Sequence, residues 1–119
     1  MISTASDLDQ FIRALVTGRL LPAAELKQLE TTVPAPGVVP GLPGVRYGLR
    51  LMWIPLPRGG GYWTHPGDFL GYSTWDGVTP DGRDTAMVMA STETGGQPVP
   101  VTWTGQAGGI HWSWSLLLR

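Results

Sequence analysis

The first hydrophobic pattern along the chain has the period of a helix. Leu8, Phe11, Ile12 and Leu15 recur at i, i+3, i+4 and i+7 and draw one apolar stripe. Ser3 or Thr4 precedes it as a cap, Thr4 and Asp7 stand at capping-box spacing, and Asp7 and Asp9 suit the positive end of a helix. Gly18 supplies a stop. The pattern predicts a helix over 5–17. A second, shorter helix opens with Pro22 at its first position and runs to about Glu30, with Leu26 and Leu29 facing inward. Residues 33–45 alternate proline and glycine with small apolar residues and read as a loop. That run lacks the basic anchor of an SH3-type ligand.

From Arg46 the period changes to two. Tyr47, Leu49, Leu51 and Trp53 alternate with Gly48, Arg50 and Met52, which predicts one half-buried strand. Pro55, Pro57 and Gly59 to Gly61 mark a turn, and strands follow over 62–65 and 71–77. Thr79-Pro80-Asp81-Gly82 is a tight-turn signal. The apolar run Thr85 to Ser91 predicts a last strand, covered on both faces. Two helices followed by an antiparallel meander make an α+β layer. Beyond Thr94 the glycines and prolines forbid a long helix, while Val99, Val101 and Trp103, and then Trp112, Trp114 and Leu116, alternate as strands do.

Composition narrows the function classes. The chain has 119 residues, one domain's worth, with a formal net charge of -1. Its only lysine is Lys27, so neither a nucleic-acid surface nor a polybasic membrane patch is expected. It contains no cysteine, which removes disulfides and cysteine-based zinc sites. No apolar run is long enough to span a membrane, and no signal peptide is expected from the N-terminal residues. Six tryptophans argue for a packed core rather than disorder.

Candidate chemistry concentrates in Tyr62-Trp63-Thr64-His65-Pro66-Gly67-Asp68-Phe69-Leu70-Gly71-Tyr72, which holds one of the two histidines. Glycines at 59–61, 67 and 71 describe a backbone that must approach something closely, whether a ligand or another strand. The structural alternative is a hairpin corner with a half-buried histidine. A triad of Ser73, His65 and Asp68 or Asp76 can be drawn, but no nucleophile elbow accompanies it. His65 and His111 have no metal-ligand spacing. The tryptophans offer a further reading, a β-rich module binding a carbohydrate or protein on flat aromatic faces.

Thr64-His65-Pro66-Gly67 followed by Phe69-Leu70-Gly71-Tyr72-Ser73 resembles the third motif of the serine β-lactamase and D-alanyl-D-alanine carboxypeptidase superfamily. There Lys-Thr-Gly or His-Thr-Gly is followed by a Gly-Tyr or Gly-Phe step. Ser3 to Leu8 with Phe11 and Ala14-Leu15, then Gly18-Arg19-Leu20-Leu21, then Tyr47-Gly48-Leu49, stand in family order. The resemblance covers residues 1–92, leaves 93–119 as a divergent tail, and implies a single partial domain from the C-terminal part of that fold. It implies acyl transfer through a serine acyl-enzyme on D-alanyl peptides, β-lactams or small esters, with no cofactor. By resemblance, His65 takes the polar first position of the motif. Gly67 admits the substrate backbone, and the Asp68 N–H is the oxyanion donor. Pro66 departs from the motif, lacking both hydroxyl and N–H. Ser-x-x-Lys cannot be written, since Ala24 precedes Lys27 by three, and without asparagine there is no Tyr-x-Asn. The expectation is therefore a chain inactive by itself. Its expected partner is either a missing N-terminal half or, through an exposed sheet edge, a second copy.

Overall fold

The computed structural model describes residues 3–69, 72–91, 101–107 and 110–116, with residues 90–91 and those beyond 100 described as backbone. Among the described residues, two helices, α1 (Ala5–Val16) and α2 (Ala23–Glu30), precede nine strands. These are β1 (Val33–Pro34), β2 (Arg46–Tyr47), β3 (Met52–Pro55), β4 (Gly61–Thr64), β5 (Gly67–Phe69), β6 (Tyr72–Val78), β7 (Thr85–Ser91), β8 (Val101–Ala107) and β9 (Ile110–Leu116). The α+β reading holds.

The start of α1 is built as the sequence suggests. The Thr4 side chain accepts from the Asp7 N–H at 3.2 Å while the Asp7 carboxylate accepts from the Thr4 N–H at 3.0 Å, a closed capping box. Gly18 ends the helix with φ +73. The inward stripe is shifted from the predicted one. Ile12 and Val16 are buried, Leu8 and Leu15 half-buried, and Phe11 is 54% exposed. Pro22 is the N-cap of α2, one position before the expected one.

The sheet is antiparallel, in the order β1-β2-β3-β4-β6-β5, with β7 on the other flank of β6. The predicted single strand around 47–53 is instead a hairpin. Arg46 pairs with Trp53 and Tyr47 with Met52. The Gly48 N–H donates to Leu51 O at 2.8 Å and the Arg50 N–H to Gly48 O at 3.0 Å, with Arg50 at φ +79. A Cβ on Gly48 would stand 2.6 Å from Leu29 O, so this corner closes against the end of α2 because residue 48 is glycine. The reversal also turns Met52 inward, to 2% exposure, where alternation had placed it outside.

The core has two faces. Ile12, Val16, Leu51, Trp63 and Val78 form the one under α1, with Leu15, Leu29 and Trp53 packed against it. Val45, Met52 and Ile54 form the other, joined by Val39, Tyr47, Tyr62 and Trp75. Each fully buried aliphatic side chain among them, such as Ile12, Val16, Leu51, Ile54 or Val78, contributes about 1.5–3 kcal/mol by leaving water. Helix α1 lies over β6 and β7, and Arg13 Nη2 donates to Thr85 Oγ1 at 2.8 Å. The β7 strand is not covered on both faces as expected: Met89 is 43% exposed. In the tail, β8 and β9 pair antiparallel, with Trp103 opposite Trp114, while Val99 of the predicted alternation lies outside the described residues.

Candidate active site

Strand β4 pairs with β6 at a single position, Trp63 opposite Val78. Beyond it the chain turns at His65 and Pro66, and the flank of β6 is taken up by β5, with Gly67 opposite Thr74, Asp68 opposite Ser73 and Phe69 opposite Tyr72. Residues 66–70 fall between the strands the sequence predicts over 62–65 and 71–77, yet Gly67–Phe69 forms a strand of its own, β5. His65 was expected on a strand; it stands in the corner after β4, with its side chain exposed.

The corner is held from the β6 side. The His65 N–H donates to Asp76 Oδ1 at 2.6 Å. Thr64, fully buried, directs its hydroxyl toward Asp76 O at 2.5 Å and Asp76 Oδ1 at 3.1 Å. After Pro66, the Thr74 hydroxyl donates to Gly67 O at 3.3 Å and the Ser73 hydroxyl to Asp68 Oδ1 at 2.6 Å. A Cβ on Gly67 would lie 2.9 Å from Thr74 Oγ1, so this glycine is needed for strand packing as well as for any approach from outside. Burial pushes the Asp76 carboxyl above the usual carboxylate range, against the opposing effects of the His65 N–H and the Thr64 hydroxyl.

The three residues singled out for substrate contact, His65, Gly67 and Asp68, thus lie together along one corner, and β5 ends the sheet path on that flank. The triad drawn through Ser73 is not what forms. The Ser73 hydroxyl proton is directed to the Asp68 carboxylate, and Asp76 meets His65 through the backbone. Of the tryptophans whose side chains are described, Trp63 is buried and Trp53 and Trp75 are half-buried against the core. Trp53 and Trp63 join one apolar cluster and Trp75 the other.

A family model described as beta-lactamase matches residues 1–108. The chain belongs to the beta-lactamase family. Among solved structures, the D-stereospecific amidohydrolase from Streptomyces sp. superposes with a TM-score of 0.66 at 39% identity, over 75% of this chain and 25% of that one. The present sequence therefore spans about a quarter of that amidohydrolase's length. It is part of a serine-hydrolase-superfamily domain, with the α+β layering of the beta-lactamase-like fold. Among the described residues, no helix is long and apolar enough to cross a membrane.

Proposed function

We propose that this segment is one wall of a serine acyl-transfer site, within a single partial domain whose nucleophile lies outside these 119 residues. The carrying observation is the corner itself. Thr64 to Asp68, which resemble the third motif of the beta-lactamase family, span the passage from β4 into β5, a strand that pairs with β6 and ends the sheet path. In this reading the substrate backbone lies beside β5. The Asp68 N–H stabilises the oxyanion that develops as a serine hydroxyl adds to the acyl carbon. The His65 imidazole meets the polar end of the substrate. Pro66 weakens the wall, since it offers neither a hydroxyl nor an N–H.

The likeness to a D-stereospecific amidohydrolase suggests the substrate class: amides of D-amino acids, cleaved through a serine ester that water then hydrolyses. Ser-x-x-Lys and Tyr-x-Asn are absent from the sequence, so the chain alone is proposed to be inactive. A separately expressed chain carrying both motifs tests this. Mixed with the present one, it should acquire labelling by a fluorescent penicillin and turnover of a D-amino-acid amide. His65→Ala should then reduce both. Labelling of the mixture that is indifferent to His65→Ala and to Gly67→Val would overturn the assignment of the wall.

A further inference from the structure

Where β4 parts from β6, the ladder that would fix the corner is missing: after Trp63 opposite Val78, the next described partner of β6 on that flank is Gly67, opposite Thr74. Pro66 has no N–H, so His65 supplies the only backbone donor between Thr64 and Gly67. That donor meets Asp76 Oδ1 at 2.6 Å, a short bond to a carboxylate and therefore stronger than an ordinary ladder bond. Asp76 sits inside a seven-residue strand opposite Met87 on β7 and is half-buried. Aspartate is disfavoured in strands and penalised by desolvation, so the position carries a cost that sheet formation does not explain.

We infer that Asp76 is the positioning residue of the candidate site, holding the His65 backbone, and with it the approach to Gly67 and Asp68, in place of the interrupted ladder. Its neighbours on β6 complete the clamp from the other side of Pro66: Thr74 on Gly67 and Ser73 on Asp68. The corner is thus fixed by three side chains of one strand. What the positioning serves rests on the acyl-transfer reading; the positioning itself does not.

The test is nuclear magnetic resonance on the 15N-labelled chain, with no substrate present. Three forms are compared: the parent chain, Asp76→Asn and Asp76→Ala. The titratable group facing Asp76 is His65, whose charge favours the carboxylate, so the imidazole is followed separately on its ring protons. In the parent chain the His65 amide proton should lie downfield and move as the Asp76 carboxylate ionises. Asp76→Asn keeps an acceptor oxygen, so the amide should stay protected from exchange while that titration step disappears. Asp76→Ala should raise exchange at His65 by roughly tenfold or more, as expected for losing a bond to a charged acceptor, with the Val78 amide unchanged. A His65 amide that does not titrate in the parent chain, or that titrates identically in Asp76→Asn, overturns the inference. So does unchanged exchange in Asp76→Ala. Should Asp76→Ala unfold, the Asp76→Asn comparison decides alone. Failure here leaves the acyl-transfer reading standing. Failure of the penicillin-labelling experiment leaves this one standing.

Discussion

Trp53 and Trp63 face each other directly across β3 and β4, their ring centroids 5.0 Å apart and their planes at 62°, edge to face. The pair joins the strand that ends at the candidate site to the hairpin that closes on α2. Trp63 is 7% exposed, at the centre of the core under α1. Trp63→Ala should cost about 3–5 kcal/mol, the range for truncating a buried large aromatic. Urea denaturation followed by circular dichroism measures it. A loss under about 1 kcal/mol would show the cluster to be far less well packed than described.

A second contact ties α1 to the β6–β7 turn. Gly82 has φ +68, and a Cβ there would lie 2.6 Å from Thr17 Cγ2. Gly82→Ala should destabilise by about 1–3 kcal/mol from backbone strain, with the clash added. Thr17→Ser in the same chain removes the clashing methyl while keeping the hydroxyl that donates to Arg13 O. The double variant should recover part of the loss. Strict additivity in the double-mutant cycle would show that the two residues do not meet.

Much of this framework is legible in the sequence because it rests on local chemistry. The Thr4–Asp7 box, the stop at Gly18 and the turn from Thr79 to Gly82 are written in neighbouring residues. The turn forms with the Gly82 N–H on Thr79 O at 2.8 Å. The hairpin at 46–55 is not legible. Tyr47, Leu49, Leu51 and Trp53 recur with a strand's period of two, and the reversal depends on how close Gly48 comes to the carbonyl of Leu29, a contact made by a distant helix. Strand β5 escapes for a similar reason: three residues after a proline carry no period of their own. For the candidate site, the motif resemblance points to His65, Gly67 and Asp68, which share one corner. The bond from the His65 N–H to Asp76 is not in that motif, although a carboxylate in the strand pattern Thr74-Trp75-Asp76-Gly77-Val78 was the available signal.

Asp76 and Asp7 should give opposite pH dependences. Burial raises the Asp76 carboxyl above 3.8, so the folded chain holds that proton more tightly than the unfolded one. Its contribution to stability is full below 3.8 and is lost as pH rises through the folded value. Asp76→Asn should therefore raise the thermal midpoint at neutral pH, with the advantage vanishing in acid. Bonds from Thr4 hold the exposed Asp7 carboxyl below 3.8, so its contribution is present above 3.8 and is lost as pH falls through the lower folded value. Thermal melts of the two Asp→Asn variants against pH separate these signs. Parallel curves would contradict them.

Phe69, Tyr72 and Met89 are exposed by 72%, 66% and 43% on neighbouring strands β5, β6 and β7. Such a patch favours association. Sedimentation velocity should show self-association that rises with concentration, and Phe69→Lys with Tyr72→Lys should weaken it. A sharp monomer at every concentration would count against the patch.

The proposed function gives this chain a substrate wall of the beta-lactamase family without the nucleophile. Intact-mass spectrometry after incubation with a penicillin tests it most directly. The purified chain should show no covalent adduct, because the Ser73 hydroxyl is bonded to the Asp68 carboxylate and neither Ser73 nor Ser91 has a lysine three residues downstream. A stoichiometric adduct that Ser73→Ala abolishes would contradict the account.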